Sequence, residues 1–225
     1  SITTTGTVSG GDDGIEALNE GSGDLTIKST NDMGTASVTG GQFGLRASNK
    51  NGGSLDVTLD NAAGNSGDGV YLSNNTGGTS LSLNISGTVT GLSGIQAINS
   101  GDSDLSITTS GDVTGDENGI RANNYVDGSL DISVVNATGH NGNGIYARNV
   151  GPDTDDLSIT ATGNVEGDRY GIVVRNYGSG DLIVTADTVT GTDYDGIYAK
   201  NEASDGDLLT ITTTGDVEGG YDGIY

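Results

Sequence analysis

Carboxylate side chains cluster at two places in this sequence, where they could bind a metal ion. The clusters follow Asn149 and Asn201 and comprise Asp153, Asp155, Asp156, Glu202, Asp205 and Asp207. Carboxylate and carbonyl oxygens are the ligands that Ca²⁺ prefers, at roughly 2.3–2.6 Å. We therefore treat these residues as candidate calcium ligands, although the Gly-Gly-x-Gly-x-Asp calcium repeat is absent. The alternative is that these acidic segments only keep the surface solvated.

Tyrosines and basic residues recur at two neighbouring positions that could bind a ligand. Tyr146 and Tyr198 each stand two residues after a repeated glycine, and Arg148, Arg175 and Lys200 each stand four residues after one. Tyrosine rings can stack on sugar faces, and guanidinium groups donate paired hydrogen bonds. The pattern predicts a face for a glycan or an acidic partner. The alternative is a solvated face whose long side chains cover the strands.

The sequence gives little support for catalysis. Its one histidine, His140, lies in the polar turn 140–143. Acidic residues are so frequent that a pair of them does not indicate a polysaccharide hydrolase or lyase. We expect a non-enzymatic protein with no cofactor except calcium at the acidic segments. A polysaccharide-binding or polysaccharide-degrading protein is the alternative.

Alternating hydroxyl residues raise one more alternative, an ice-binding solenoid. Ser106, Thr108, Thr210 and Thr212 occupy positions that a strand would direct outward. The array is interrupted, among other places, by Lys28. Threonine and serine also suit an ordinary exposed strand, so this alternative has the weakest support.

Composition limits both the core and the partners. The 225 residues include 41 Gly, one Phe and no Trp, so a wide interior cannot be filled. The formal net charge of −23 repels nucleic acid and anionic lipid surfaces. No apolar run is long enough for a transmembrane helix, so we expect no direct membrane insertion of this segment. The absence of Cys excludes disulfides and thiolate metal sites.

A repeat of about 25 residues organises the whole chain. Its phase is set by recurring glycines, namely Gly14, Gly44, Gly69, Gly94, Gly119, Gly144, Gly171, Gly196 and Gly223. In every complete repeat, an asparagine stands five residues after the repeated glycine. These asparagines are Asn19, Asn49, Asn74, Asn99, Asn124, Asn149, Asn176 and Asn201. A period of this length is typical of a solenoid. We expect the asparagines to form a structural ladder at one corner of the coil.

Apolar residues alternate in three short segments of each repeat. Ile120 and Ala122 illustrate the first segment, Leu130 and Ile132 the second, and Val113 the third. Alternation with a period of two predicts short strands, which must pair with the equivalent strands of neighbouring coils. The sequence therefore predicts an all-β fold, a right-handed parallel β-helix with three short strands per coil. We expect 1–225 to be a single uncapped segment of about eight to nine coils from a longer repeat protein.

The repeat resembles the passenger repeats of Gram-negative autotransporter adhesins. The resemblance is carried by phrases such as Gly-Ile-Tyr-Ala-Lys-Asn at 196–201 and Leu-Ser-Ile-Thr-Thr-Ser-Gly-Asp-Val-Thr-Gly at 105–115. It implies a secreted or cell-surface protein of a Gram-negative bacterium, with a non-enzymatic role as an adhesive stalk or filament segment. The expected partners are cell-surface or glycan ligands, or further copies of the chain joined end to end into fibres.

Overall fold

The computed structural model of the protein describes residues 1–202 and 208–225. The described residues form 24 strands, numbered β1 to β24 in chain order. They contain no helix, and hence none long and apolar enough to cross a membrane. The predicted all-β parallel β-helix is confirmed, whereas the right-handed sense of the coil stays a prediction.

Each coil contributes strands to three rows, as predicted. The first row begins directly after the repeated glycine and consists of β3 (Ile15–Asn19), β6 (Leu45–Asn49), β9 (Val70–Asn74), β12 (Ile95–Asn99), β15 (Ile120–Asn124), β18 (Ile145–Asn149), β20 (Ile172–Asn176) and β22 (Ile197–Asn201). The second row consists of β1 (Ile2–Thr4), β4 (Leu25–Ser29), β7 (Gly53–Leu59), β10 (Gly78–Ile85), β13 (Leu105–Thr109), β16 (Gly128–Val134), β19 (Thr154–Gly167), β21 (Leu182–Gly191) and β23 (Leu209–Thr213). The third row consists of β2 (Val8–Gly10), β5 (Ser37–Gly40), β8 (Asn61–Gly64), β11 (Val89–Gly91), β14 (Asp112–Gly115), β17 (Asn136–Gly139) and β24 (Val217–Gly219).

The strands within each row pair in parallel. The first row is an eight-stranded sheet of its own. The second and third rows belong to one sixteen-stranded sheet because β19 and β21 each run through both rows. Ile95 pairs with Ile120, and Ile120 with Ile145, so equivalent residues lie directly above one another. This register keeps the alternating inward side chains of a row, such as Ile120 and Ala122, on one side of its sheet.

The core is a set of stacked apolar ladders. Ile120, Ala122 and Leu130 are fully buried, as are their equivalents in the neighbouring coils. The small alanines and the larger Ile and Leu side chains belong to one continuous buried core. Ile2 and Val217, which lie in the outermost described coils, are only partly buried against this core.

The repeated glycines are required for close packing rather than for an unusual backbone angle. Among the described residues, the glycines with positive φ are Gly34, Gly52, Gly53, Gly77 and Gly128, and none of them is a repeated phase glycine. At Gly119, a Cβ atom would lie 2.5 Å from the carbonyl oxygen of Gly144 in the next coil. Only glycine therefore fits where the coils approach one another at this corner.

The asparagine ladder is confirmed. Asn49, Asn99 and Asn149, in the middle of the chain, are completely buried, whereas Asn19 and Asn201 near the two ends are half-buried. The side-chain amides donate to backbone carbonyls of their own corner. Asn99 Nδ2, for example, donates to Ser103 O at 2.6 Å and also to Asn124 Oδ1 at 3.0 Å. Each of these asparagines thus closes its own corner, and several also bind the next coil.

Candidate functional site

A gap in a row of tyrosines forms a cleft on the surface. Tyr146, Val173 and Tyr198 are successive neighbours on the outer face of the first row, in β18, β20 and β22. Val173 is much smaller than the tyrosines on either side, and it is only 5% exposed. The valine therefore forms the floor of a slot between two aromatic side chains.

The walls of this slot come from the corner that leads into β20 as well as from the first row. The cleft has a volume of about 200 Å³. We call it the Val173 cleft, and it is lined by Asn143, Tyr146, Arg169, Tyr170, Val173, Arg175 and Tyr198. A second cleft of about 200 Å³ shares Asn143, Tyr146 and Arg169 with it and extends to Arg121 of the preceding coil. The two clefts together follow the axis of the β-helix.

Stacked tyrosines give the cleft firm walls. The rings of Tyr170 and Tyr194 are stacked with centroids 4.8 Å apart and an interplanar angle of 11°. Tyr170 also meets the ring of Tyr198 edge-on at 6.1 Å, and Tyr198 stacks on Tyr225 at 5.2 Å. Such contacts favour one orientation of each ring, so the cleft is largely formed before a ligand arrives.

The arginines near the cleft lie over aromatic rings. The guanidinium carbon of Arg175 is 5.1 Å from the ring centroid of Tyr198, and that of Arg169 is 5.5 Å from the ring of Tyr194. Hydrogen bonding to Tyr177 raises the pKa of Arg175 above its already high usual value. Arg175 therefore stays charged at neutral pH.

Three cations stand side by side in the row that contains Arg175. Arg148 and Lys200 are its register neighbours on the two sides. Lys200 pairs with the carboxylate of Glu202 at 3.0 Å, which offsets part of the repulsion between these cations. Arg148 instead lies over the ring of Tyr177, 5.4 Å from its centroid. Aromatic rings thus stabilise the two arginines, while a carboxylate stabilises only the lysine.

Tyr170 supplies a neutral hydroxyl beside the cleft. Burial raises the pKa of Tyr170 above its usual 10.0, and the negative charge of Asp195 adds to this effect. The phenol therefore remains protonated at neutral pH and can both donate and accept a hydrogen bond.

The structure brings together only some of the residues predicted to bind a ligand. Tyr146, Arg175 and Tyr198 line the Val173 cleft. Arg148 and Lys200 are the register neighbours of Arg175 but do not line the cleft. Sequence reasoning missed Asn143, Arg169, Tyr170 and Val173. The available signal was Val173 itself, an aliphatic residue at a position occupied by tyrosine in the coils before and after it.

The acidic segments make contacts of a different kind. Asp156 Oδ1 accepts a hydrogen bond from the backbone N–H of Asp181 in the next coil at 2.8 Å. Asp153 and Asp155 are exposed, and Asp205 and Asp207 lie outside the described residues. Within 1–202 and 208–225, no three His, Asp or Glu side chains are placed to hold a metal ion together. Calcium binding at these segments stays a prediction.

Aspartates and asparagines at other corners bind the next coil in the same way as Asp156. Asp24 accepts a hydrogen bond from Ser54 N at 2.8 Å, and Asp104 accepts one from Ser129 N at 2.9 Å. Many of the carboxylates that give the chain its acidity are therefore acceptors for backbone N–H groups that face outward from a corner.

Comparisons with protein-family models, with curated proteins and with solved structures found no match to this chain.

Proposed function

We propose that this chain is a non-enzymatic stalk segment of a secreted or cell-surface β-helix protein, and that it binds a glycan in the Val173 cleft. The observation that carries the proposal is the slot between Tyr146 and Tyr198, floored by Val173 and flanked by Arg169 and Arg175. Flat aromatic walls suit the apolar faces of a sugar ring, and the guanidinium groups suit its hydroxyl or acidic substituents.

The dimensions of the cleft favour one residue of a polymer over a compact small molecule. Its volume of about 200 Å³ is below the roughly 300–1,000 Å³ of typical small-molecule pockets. The cleft is open at the surface and continues into the second cleft, which reaches Arg121. An extended chain that places successive residues in the two clefts fits this shape.

The β-helix itself supports the role of a stalk. Eight steps between neighbouring coils, at about 4.8 Å each, make this segment roughly 40 Å long. Each coil is stabilised mainly by its neighbours, so such a segment can lengthen by adding coils without a larger core. The resemblance of its repeats to autotransporter passengers supports a position outside the cell, on a Gram-negative bacterium.

Filling the cleft tests this function directly. Val173→Tyr would continue the tyrosine row and occupy the slot, while a β-strand tolerates both residues well. The matched control is Ile183→Tyr, because Ile183 is a half-buried aliphatic residue on the outer face of β21, in a different row. Binding of the two variants and the wild type to an array of immobilised oligosaccharides would be compared, with circular dichroism to check the fold.

We expect the wild type and Ile183→Tyr to bind the same oligosaccharides, and Val173→Tyr to lose at least about tenfold in affinity, equivalent to about 1.4 kcal/mol. The bound polysaccharide should not become shorter during incubation. Failure of the wild type to bind any sugar would overturn the proposal, and so would equal binding by folded Val173→Tyr.

A further inference from the structure

We propose that the Val173 cleft selects acidic glycans, whose carboxylate or sulfate groups are bound by Arg169 and Arg175. Because the same cleft is the glycan site proposed above, this inference rests on the proposed function and specifies its ligand. It starts from the distribution of charge around the cleft.

Positive charge is concentrated here in an otherwise acidic protein. The chain has only eight Lys and Arg residues against 31 Asp and Glu. Four of the eight lie on or beside the two connected clefts, namely Arg121, Arg148, Arg169 and Arg175. In the described part of the chain, none of these four forms an ion pair with a carboxylate, whereas Arg46, Lys50 and Lys200 each do. The guanidinium groups at the clefts are therefore available to pair with an anionic ligand.

The arginines are also held in place before a ligand binds. The guanidinium carbons of Arg169 and Arg175 lie 5.5 Å and 5.1 Å from the ring centroids of Tyr194 and Tyr198. A guanidinium group that stacks through its face can still donate from its edge, where its N–H groups match the two oxygens of a carboxylate. Little side-chain entropy is then lost when an anion binds, which favours recognition of an acidic group over a hydroxyl.

The net charge of −23 opposes this selectivity only weakly at physiological salt. The Debye length there is about 8 Å, so exposed charges at greater distances are largely screened. None of the described residues that line either cleft is a carboxylate. Asp195, whose negative charge helps to raise the pKa of Tyr170, is buried. At the mouth of the cleft, Arg169 and Arg175 dominate because they are nearer to the ligand than most carboxylates of the chain.

The connected second cleft specifies the form of the ligand. It is lined by Arg121 and Arg169, with Asn118, Asn143 and Tyr146. An acidic group bound in the second cleft would contact Arg121, and one bound in the Val173 cleft would contact Arg175. Arg169 lines both clefts. The geometry thus suits an oligosaccharide with acidic groups on successive residues better than a single acidic sugar.

The experiment uses probes that differ only in charge. Hexasaccharides of polygalacturonate, alginate and chondroitin sulfate would be compared with neutral counterparts by calorimetry on the wild-type chain. The carboxyl groups of all three counterparts are methyl-esterified, and the chondroitin counterpart is also desulfated. A poly-glutamate peptide of equal charge would distinguish recognition of an acidic sugar from attraction to any polyanion. Arg169→Gln and Arg175→Gln remove one donor group each, and Arg46→Gln is the control because Arg46 lies near the other end of the β-helix.

We expect at least one acidic hexasaccharide to bind about 10-fold to 100-fold more tightly than its neutral counterpart, the range of one charge-assisted hydrogen bond. Arg169→Gln and Arg175→Gln should remove most of this preference, Arg169→Lys should restore part of it, and Arg46→Gln should leave it unchanged. Equal binding of acidic and neutral forms would overturn the inference and leave the proposed function standing. Binding of poly-glutamate as tight as that of the best sugar would also overturn it. No binding of any saccharide would overturn both.

Discussion

The side chain of Asn74 donates a hydrogen bond to the side chain of Asn99 in the next coil, with 3.2 Å between Nδ2 and Oδ1. Both residues are completely buried, and Asn99 continues the ladder to Asn124. Burial of an amide is costly unless it forms hydrogen bonds. The Nδ2 atom of Asn74 is paired, whereas its Oδ1 atom has no hydrogen-bond partner among the described residues. The ladder therefore ties neighbouring coils together at the corner that follows the first row.

Removal of one amide from the middle of this ladder should destabilise the protein. In Asn99→Ala, the carbonyl oxygen of Ser103 and the backbone N–H of Gly101 lose the side chain that binds them, and Asn74 Nδ2 loses one of its acceptors. We expect the free energy of unfolding to fall by about 1–3 kcal/mol, measured by urea denaturation. The control is Asn84→Ala, on an exposed outward position of β10. A loss no larger than that of the control would contradict a stabilising role for the ladder.

A second prediction concerns the loop between β4 and β5. Asp60 is buried, and its Oδ2 atom accepts hydrogen bonds from the backbone N–H groups of Asn31 at 2.9 Å and Ala36 at 3.1 Å. Asp60→Ala should release both ends of this loop, so limited proteolysis should cut between Asn31 and Ala36 several times faster. Asp32→Ala, in the same loop but exposed, should be cut at the wild-type rate. Resistance of Asp60→Ala to cleavage would show that other contacts hold the loop.

Asp68 should make stability depend on pH. Burial raises the pKa of this carboxyl above its usual 3.8, even though Ser93 N donates to it at 2.9 Å. A carboxyl whose pKa is higher in the folded state favours folding when it is protonated, and this contribution is lost as the pH rises through the folded pKa. At neutral pH, the ionised group therefore costs about 1.4 kcal/mol for each unit of elevation.

The test for Asp68 is Asp68→Asn, which keeps the acceptor and removes the charge. We expect this variant to unfold at higher urea than the wild type at pH 7, with the difference disappearing as the pH falls below about 3.8. Asp102→Asn, at an exposed position, gives the baseline for removal of one surface charge. A gain for Asp68→Asn that persists unchanged in acid would have a cause other than ionisation.

Calcium and the backbone are competing explanations for the acidic segment after Asn149. Because Asp156 Oδ1 accepts from Asp181 N, we expect Asp156→Ala to lower the free energy of unfolding by about 1 kcal/mol, in calcium and in chelator alike. Asp153→Ala, at an exposed position in the same segment, should have no effect in chelator. Thermal unfolding of both variants under the two conditions would decide the matter. A loss seen only with calcium would make Asp156 a metal ligand.

The sequence predicted the core more completely than the cleft. Ile120 and Ala122 are two residues apart, so in a strand both side chains lie on the same face. Because the pattern repeats in every coil, equivalent side chains then stack on one another. The cleft depends on Arg169 and Tyr170, which lie in a corner and follow no such alternation. Their directions depend on the path of the backbone between β19 and β20, which a period of two does not describe.

Periodicity by itself thus determined the coil, its three rows of strands, the inward ladders and the asparagine corner. The reason is that each of these features repeats with the chain, so one copy predicts the others. The tertiary structure decided which outward side chains meet across a corner and which acidic groups bind a backbone N–H. These features arise where one coil differs from its neighbours, as at Val173, which lies between Tyr146 and Tyr198. Such a difference forms a cleft only when the coils are stacked on one another.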